Sequence, residues 1–515
     1  MRWSSFNEKW SRPIKSILCV LNEKVINFDY AGVSSNNFTY GNYYYFQKKI
    51  KCINSNNYKK ALRENFVLLD KKERIKKIEG ELGKFCKKNK LKLNYNQDLM
   101  SRVSDSVEWP NLFFGSFDED FFDLPDFLLT TILSEKQDNF SFKETNGKLS
   151  NFFSFVSNLE KNKEKNLIAG NQNVLKARFK DAKFFMEEDN KVKFSERLKK
   201  LSSIVFYNDL GTLLDRSIRI QKLCIKISNL LKLKISQNTN NLIYSNVDLT
   251  SELVREYPSL QGQVGGFYAR LFGINEEICN AFSNQYEFSN KNIENDLSFV
   301  LSLSQKIDSL FGFFASDRKV SGSGDPFGVR RMALSLINML LHKKISFSFS
   351  FVFGILVKIY KNQNIEINFD KDKVIEFLNK RFEILLLERG FEVNLVKSCI
   401  KNEDFDPSTS FTKILRFKEF LISKEGNEFI KSYKRLDSIV KEKEIDVRIE
   451  KKLFKKVEEE RLYKNILSIE EDYNRSSEIV NKKSFYNLSI SINNFLDNVM
   501  VNTPEEEIKC NRISL

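Results

Sequence analysis

The sequence predicts an α+β amino-terminal part over residues 1–195, followed by mainly α-helical domains at 196–360 and 373–515. Three observations support this fold class. Short runs of β-branched and aromatic residues fill the start of the chain, apolar residues recur every three or four positions from Glu196 onward, and only 7 prolines interrupt the 515 residues. A chain of this length is expected to form about three domains of roughly 100–200 residues each.

The amino-terminal part begins with strands and then turns helical. "IKSILCVLNEKVINFDYAGV" places β-branched residues on both sides of the turn-like pair Asn22 and Glu23, which predicts a hairpin, and "NNFTYGNYYYFQKKIKCI" continues the strand pattern. Residues 101–160 mix short strands with turns. From Asn57 to about Asn89 the spacing of apolar residues predicts helix, at Leu62, Phe66, Leu69, Ile75 and Ile78.

The second half of the chain has a helical pattern. Stretches rich in Asn and Lys predict linkers at 160–170, 285–296 and 361–372. The longest apolar run is "ISFSFSFVFGILVKIY" at 345–360. Serines interrupt it and it is too short to span a bilayer, so it predicts a buried helix or strand and no contact with a membrane.

Charge and cysteine usage narrow the class of protein. With 83 Lys+Arg against 68 Asp+Glu, the formal net charge of +15 indicates a large anionic partner such as nucleic acid. The alternative is lysine spread over solvated faces, because the frequent Phe, Lys, Asn and Ile are residues of AT-rich codons. The seven cysteines form no C-x-x-C pair, so reduced thiols and a cytoplasmic location are expected. The single histidine, His342, excludes a histidine-rich metal site.

The segment "SGSGDPFGVRRMALSLINMLL" at 321–341 resembles a phosphate loop only superficially. The lysine of the Walker loop is missing, and the glycine spacing does not fit a dinucleotide-binding turn. A helix start fits better, with Asp325 as N-cap and Pro326 at the first helical position. Val329, Met332, Ala333, Leu336, Ile337, Leu340 and Leu341 then form one apolar face.

Two arginines in this segment are not explained by the helix start. Arg330 and Arg331 lie in the first turn, where a cation opposes the helix dipole at a cost of about 0.3–1 kcal/mol when exposed. Either an ion pair with an Asp or Glu of the chain or a contact with a phosphate group would offset that cost. Both explanations stay open at this point.

Six segments in order resemble the β subunit of bacterial heterotetrameric glycyl-tRNA synthetase. "GDPFGVRRMAL" resembles that family's K-D-P-F-x-L-R-R-A-A-L, and "GNQNVLKARFKDAKFFMEED" resembles its G-N-x-x-V-x-x-x-R-x-x-D-A-x-F-F. The other four are "MRWSSFNEKWSRPIKSILCVLNEKVI", "SVEWPNLFFGSFDEDFFDLPDFLL", "LVREYPSLQGQVGGFYAR" and "INNFLDNVMVNTPEEEIKCNRISL". The family's β subunit is longer at the front and ends one helix later, so a shortened form from a reduced, AT-rich genome is expected.

The resemblance implies a subunit without a catalytic centre of its own. A separate α subunit would bind ATP, magnesium and glycine, and this chain would bind tRNA(Gly) in an α2β2 assembly with no cofactor of its own. The middle domain is expected to resemble an HD-type domain with a degenerate metal site. In "SQKID", Gln305 stands where the family has an Asp, and a carboxamide is a poor metal ligand. Asp308 is expected to be a structural hydrogen-bond acceptor.

The resemblance also implies a helical anticodon-binding domain at 373–515, with Arg416, Lys434 and Arg435 as candidate tRNA contacts beside Arg330 and Arg331. Each of the three could instead lie on a solvated helix face. In "EYPSLQGQVGGFYAR", close helix packing is favoured over contact with tRNA. Two other functions stay open, an HD-type metal-dependent phosphohydrolase and a scaffold for the α subunit that does not bind tRNA.

Overall fold

A computed structural model describes most of the chain. The described residues are 5–160, 164–207, 210–235, 239–286, 295–316, 325, 327–400, 404–440, 449–475 and 482–515. They form two compact units. The amino-terminal unit combines Met1–Lys193 with Asp248–Val264, and the helical unit combines Phe194–Val247 with Gly265–Leu515. A further division of the helical unit between residues 360 and 373 stays a prediction.

The amino-terminal unit begins with short strands. They are β1 (Ile17–Leu18), β2 (Val20–Leu21), β3 (Lys24–Val25), β4 (Asp29–Tyr30), β5 (Val33–Asn36), β6 (Phe38–Tyr40) and β7 (Lys49–Lys51). β5 pairs in parallel with β1 and antiparallel with β4, while β2–β3 and β6–β7 are antiparallel hairpins. Asn22 and Glu23 join β2 to β3 with φ angles of 48° and 63°, the left-handed values that a type I′ turn requires. The predicted hairpin is confirmed.

A four-stranded antiparallel sheet organises the core of this unit. Its strands β8 (Lys92–Leu93), β9 (Asn111–Ser116), β10 (Phe140–Lys143) and β11 (Leu149–Ser157) lie in the order β8-β10-β11-β9. The preceding and intervening helices are α1 (Ser55–Glu64), α2 (Lys71–Asn89), α3 (Gln97–Ser106) and α4 (Asp126–Thr131). The side chains of α2, α3 and the sheet that pack together are Ile78, Leu82, Leu99, Met100, Val103, Leu112, Phe140 and Phe142. The helical pattern predicted for 57–89 is confirmed in α1 and α2, but Phe66 and Leu69 lie between the two helices and their assignment to a helix is wrong.

Helix α5 (Glu164–Asn190) packs against the short helix α8 (Glu252–Glu256) within the same unit. The buried carboxylate of Asp189 accepts the backbone N–H groups of Glu252 and Leu253, at 2.9 and 3.1 Å, and so caps α8. The linker predicted at 160–170 is wrong from residue 164 onward. Glu and Lys favour helices, and the burial of Leu175, Phe179 and Ala182 later in α5 stabilises the whole helix.

The helical unit contains α6 (Phe194–Lys200), α7 (Leu213–Leu230), α9 (Gln263–Leu271), which enters the unit at Gly265, α10 (Glu276–Asn284), α11 (Asp296–Ala315), α12 (Val329–Lys343), α13 (Phe349–Asn362), α14 (Lys371–Glu388), α15 (Val393–Cys399), α16 (Pro407–Ile422), α17 (Lys424–Val440), α18 (Val457–Arg475), α19 (Lys482–Asn498) and α20 (Glu506–Ser514). Further 3₁₀ or π segments occur at Glu119–Asp123, Ile132–Lys136, Leu201–Ser203, Thr239–Thr250, Pro258–Leu260 and Lys451–Leu453. The apolar run at 345–360 forms α13, so the helix alternative is the correct one.

Helix α11 lies at the centre of the helical unit. It contacts α7, α10, α12 and α14 and is buried along nearly its whole length. A helix that is apolar on most of its faces is expected to be enclosed by others. Its few polar residues, Gln305 and Asp308 among them, are therefore held in the protein interior.

Close packing also explains the glycine-rich segment before α10. A Cβ atom on Gly266 would lie 2.0 Å from the Oγ of Ser283 and 2.4 Å from the carbonyl oxygen of Cys279. Only glycine therefore allows α9 to approach α10 this closely. Arg270 pairs with Glu276 at 2.7 Å. The helix-packing interpretation of this segment is confirmed for Gly266.

The last helices of the chain pack on one another. α16 contacts α12 and α17, and α19 contacts both α17 and α18 around a small apolar core of Leu462, Ile492, Phe495 and Val499. All seven cysteines are free thiols. Within the described part of the chain, no helix combines the length and the apolarity needed to cross a bilayer.

Candidate nucleic-acid interface

Two arginines of α7 and one aspartate of α11 form a buried arginine cluster. The Nε of Arg216 donates to Asp308 at 3.2 Å, and the Nε of Arg219 donates to the other carboxylate oxygen at 3.1 Å. Arg216 also donates to Gln305 at 2.8 Å. Helix α7 starts in a fixed position because Thr212 and Asp215 form a reciprocal capping box. The cap and the burial of α11 bring these charges together.

A second layer of polar contacts fixes Gln305. Its amide nitrogen donates to Asn246 at 3.0 Å and to Gln285 at 2.8 Å. Asn246 in turn donates to Ser217 at 3.0 Å. The carboxamide is therefore used fully as donor and acceptor inside the protein. These contacts compensate part of the cost of burying polar groups.

Aromatic rings complete the surroundings of the cluster. The guanidinium carbon of Arg216 lies 4.5 Å from the ring centroid of Phe206, and that of Arg219 lies 4.2 Å from the ring of Tyr360. Burial raises the pKa of Tyr360 well above its ordinary value, and the charge of Asp308 raises it further, although both arginines oppose this. Tyr360 is thus a neutral ring in the cluster.

The chemistry of the cluster is that of a structural ion pair. Two guanidinium groups occupy both oxygens of Asp308, and their positive charge opposes a divalent cation at the same place. His342, the single histidine, lies exposed on α12. Among the residues that the structure describes, three or more His, Cys, Asp or Glu nowhere come together in a way that could hold a metal. The prediction that Asp308 is a structural acceptor is confirmed.

The start of α12 differs in detail from the sequence prediction. The helix begins at Val329, so Gly328 is the N-cap, and its φ of 65° lies in the left-handed region. Asp325 is not the N-cap, because the first helical residue is Val329. Its carboxylate still accepts the backbone N–H groups of Arg330 and Arg331, at 3.2 and 3.3 Å. Pro326 and residues 321–324 lie outside the described residues.

The two candidate arginines of this segment have different surroundings. The Nε of Arg331 lies 3.6 Å from the carboxylate of Asp325, and its side chain is otherwise exposed. Arg330 is half-buried. The ion pair with Asp325 therefore offsets the unfavourable interaction of Arg331 with the helix dipole, which is the first of the two explanations given above. A phosphate contact by either arginine stays a prediction.

Arg416 lies in a basic cleft between the end of α12 and α16. The cleft has a volume of about 330 Å³, and Lys344, Lys413 and Arg416 supply its cations. Hydroxyl and apolar side chains supply the rest of the lining, at Leu341, Ser346, Ser408, Thr409, Phe411, Thr412 and Leu415. Its positive charge and hydroxyl groups suit an anionic ligand such as a phosphate group.

Local sequence fixes the position of the basic cleft. Asp406 caps α16 by accepting the backbone N–H of Thr409 at 3.1 Å. The hydroxyl of Ser408 donates to the carbonyl oxygen of Leu340 at 3.0 Å, which attaches α16 to the end of α12. Lys344 ends α12 in the left-handed conformation, with a φ of 53°. These contacts bring Lys344 to the same cleft as residues some seventy positions later in the chain.

The remaining candidates lie side by side on α17. Arg435 donates to Asn493 at 2.9 Å and to Asp497 at 2.7 Å, so it connects α17 to α19. Lys434 is exposed, and it forms no hydrogen bond or ion pair with any side chain that the structure describes. Of the five candidates, only Arg416 lines the basic cleft. Arg435 has a structural contact, whereas Lys434 presents its charge to the solvent.

The sequence analysis did not identify Lys344 and Lys413 as cations of the basic cleft. Lys413 is three positions before Arg416 on α16 and shares a helix face with it, so the spacing of basic residues could have revealed Lys413. Lys344 carried no such signal. Its place in the cleft depends on the contact between α12 and α16.

Comparisons with known proteins agree with one another. The family model described as "Glycyl-tRNA synthetase beta subunit" matches residues 1–401. A "Glycine--tRNA ligase beta subunit" of Thermodesulfovibrio yellowstonii is 32% identical over 532 residues, covering 100% of this chain and 76% of the relative. Proteins of the same name from Halothermothrix orenii and Rickettsia peacockii are 32% and 29% identical, and each alignment again covers 100% of this chain. The alignments with these relatives thus include Arg416, Lys434 and Arg435, which the family model does not reach.

Proposed function

Because the chain belongs to the glycyl-tRNA synthetase beta subunit family, we propose that it is the tRNA-binding subunit of a glycine–tRNA ligase. The ligase joins glycine to tRNA(Gly) and converts ATP to AMP and pyrophosphate. In this proposal ATP and magnesium bind to a separate alpha subunit, the assembly is α2β2, and it works in the cytoplasm. The relationship along the whole chain is the observation that carries the proposal.

The basic cleft is the proposed contact with the tRNA backbone. Lys344, Lys413 and Arg416 converge on one concave surface, and lysine and arginine are the usual partners of phosphate oxygens. Such contacts give affinity and position rather than sequence choice. The net charge of +15 supports a polyanionic partner for the chain.

Two finer assignments belong to the same proposal. Residues 196–360 would be an HD-like domain whose metal site has been replaced by the buried arginine cluster, and residues 373–515 would bind the anticodon region. The ion pairs of Asp308 and the contacts of Gln305 support the first assignment. The exposed position of Lys434 on α17 supports the second.

The proposal is tested by glycylation of tRNA(Gly) with the alpha subunit in the presence and absence of this chain. We expect charging to require the chain. The variant Lys344→Gln/Lys413→Gln/Arg416→Gln should weaken tRNA binding, and the slope of log affinity against log salt should become shallower by up to about three, because about one counterion is released per phosphate contact. Filter binding at several salt concentrations measures both quantities.

A matched control removes the same charge from another surface of the helical unit. Lys358→Gln/Lys361→Gln/Lys371→Gln replaces exposed lysines of α13 and α14, and this variant should keep the wild-type salt slope. Equal charging by the alpha subunit alone would contradict the proposed function. Full charging without affinity of this chain for tRNA would indicate the scaffold alternative instead.

A further inference from the structure

The β6–β7 hairpin presents aromatic rings and lysines on one face. The strand register places Tyr40 opposite Lys49 and Phe38 opposite Lys51. Alternate residues of a strand and their cross-strand partners project to the same side, so these four side chains share one face. The Nζ of Lys49 lies 4.2 Å from the ring centroid of Phe38, and the rings of Phe38 and Tyr40 meet edge to face at 5.9 Å.

The loop between the strands adds two uncovered rings. Tyr43 and Tyr44 are 71% and 58% exposed, and Tyr40 is 42% exposed. The rings of Tyr43 and Tyr44 meet edge to face, with centroids 5.5 Å apart. An exposed cluster of large rings is the kind of surface that marks a binding site rather than a core.

Hydrogen bonds hold the loop in place. The backbone N–H of Asn42 donates to the carbonyl oxygen of Asn65 at 2.9 Å, and the side-chain oxygen of Asn42 accepts the N–H of Tyr44 at 3.0 Å. The ring of Tyr45 points elsewhere and stacks on Phe66 at 4.6 Å. The exposed rings are therefore attached to an ordered loop, which lowers the entropic cost of binding a ligand.

The charge of this surface favours an anion. Along the chain there is no acidic residue between Asp29 and Glu64, although the carboxylate of Glu108 accepts a hydrogen bond from the side chain of Asn42 in the loop, at 3.4 Å. Lys48, Lys49 and Lys51 are exposed, and none forms an ion pair with a carboxylate in the described part of the protein. A protein partner would need a matching acidic surface as well as flat apolar groups. A nucleic acid with unpaired bases offers phosphate groups and flat rings at regular spacing.

We propose that Phe38–Tyr40, the connecting loop and Lys49–Lys51 form a tyrosine platform for unpaired RNA nucleotides. Bases stack on Tyr40, Tyr43 and Tyr44, and the lysine ammonium groups bind the flanking phosphates. Stacking needs a base whose flat face is accessible, so the platform binds single strands and not the interior of a duplex. This inference rests on the proposed function in one respect, because the proposed function identifies the RNA as the unpaired nucleotides of a tRNA.

The test is fluorescence anisotropy of a labelled short oligouridine titrated with the full chain at low salt. Tyr43→Ala/Tyr44→Ala should weaken binding about tenfold or more, since each stacked base contributes substantially to affinity. Tyr43→Phe/Tyr44→Phe keeps both rings and should bind like wild type. Tyr95→Ala removes a tyrosine that is 54% exposed elsewhere in the amino-terminal unit and should have no effect. All variants should share the wild-type melting temperature.

Two results would overturn the platform. They are wild-type protein that does not bind oligouridine, and an alanine variant that binds it as tightly as wild type. If that alanine variant also no longer bound the alpha subunit, the face would be a contact with that subunit instead. Each can occur while the basic cleft still supports tRNA binding and glycylation, so failure of the platform and failure of the proposed function are distinguishable. A short RNA duplex serves as a second probe, and its affinity should not depend on Tyr43 or Tyr44.

Discussion

The helical unit uses the same kind of side chain in two opposite ways. In the buried arginine cluster, the side chains of Arg216 and Arg219 are 9% and 0% exposed and both bind Asp308. In the basic cleft, Lys344 and Arg416 are exposed around a concave surface. Both regions contribute to the same net positive charge. The comparison separates cations that are buried against a carboxylate from cations that line an open cleft.

Loss of the carboxylate in the buried cluster should have the largest effect. Asp308→Ala leaves two buried guanidinium groups without their counter-charge, which typically costs about 3–5 kcal/mol. We expect the free energy of unfolding to fall by that amount, measured by urea denaturation. This expected loss of stability depends neither on a bound metal nor on tRNA contacts in the basic cleft.

The matched control for this variant is an exposed carboxylate that also binds an arginine. Asp497→Ala removes the partner of Arg435 at the surface, where an ion pair contributes less than about 1 kcal/mol. Equal effects of the two variants would show that burial does not separate the two uses of arginine. If Asp308→Ala left the free energy of unfolding unchanged, the assignment of a structural role to the cluster would be wrong.

A second buried pair sharpens the comparison through its pH dependence. The side chain of Glu459 is fully buried; it accepts from Arg512 at 2.6 Å and from the backbone N–H groups of Lys455 and Lys456. Burial on its own would raise the pKa of Glu459, but these hydrogen bonds hold it below the ordinary value of 4.5. Glu459→Gln should lower the free energy of unfolding at neutral pH by about 1.5–3 kcal/mol.

The sign of the pH effect follows from the lowered pKa. The unfolded chain takes up the proton at higher pH than the folded chain, so the stabilisation by Glu459 is present above about pH 4.5 and is lost as the pH falls through the folded pKa. Urea denaturation of wild type and Glu459→Gln across this range measures the difference. A difference that stays constant down to low pH would contradict the assigned hydrogen bonds.

Sequence patterns predicted what depends on neighbours along the chain. The turn at Asn22 and Glu23 needs only two residues in left-handed conformation, and the apolar run at 345–360 was predicted to be buried, with helix and strand left open. Features that depend on distant contacts were missed. The cleft position of Lys344 depends on α16, and the linker predicted at 160–170 ignored the buried face later in α5. Sequence spacing does not carry that information.

Arg435 and Lys434 allow the finest test of the comparison, because they are adjacent and both exposed. Arg435 already binds Asn493 and Asp497, so a phosphate would have to compete with that carboxylate. Lys434 has no such competitor among the described residues. Lys434→Gln should therefore make the salt slope of tRNA binding shallower by about one, whereas Arg435→Gln should leave it almost unchanged. Filter binding of tRNA(Gly) across salt concentrations measures both slopes. A shallower slope for Arg435→Gln alone would show that an exposed arginine can bind RNA although it already forms an ion pair. Exposure to solvent, rather than the presence of an ion-pair partner within the protein, would then decide whether a cation binds RNA.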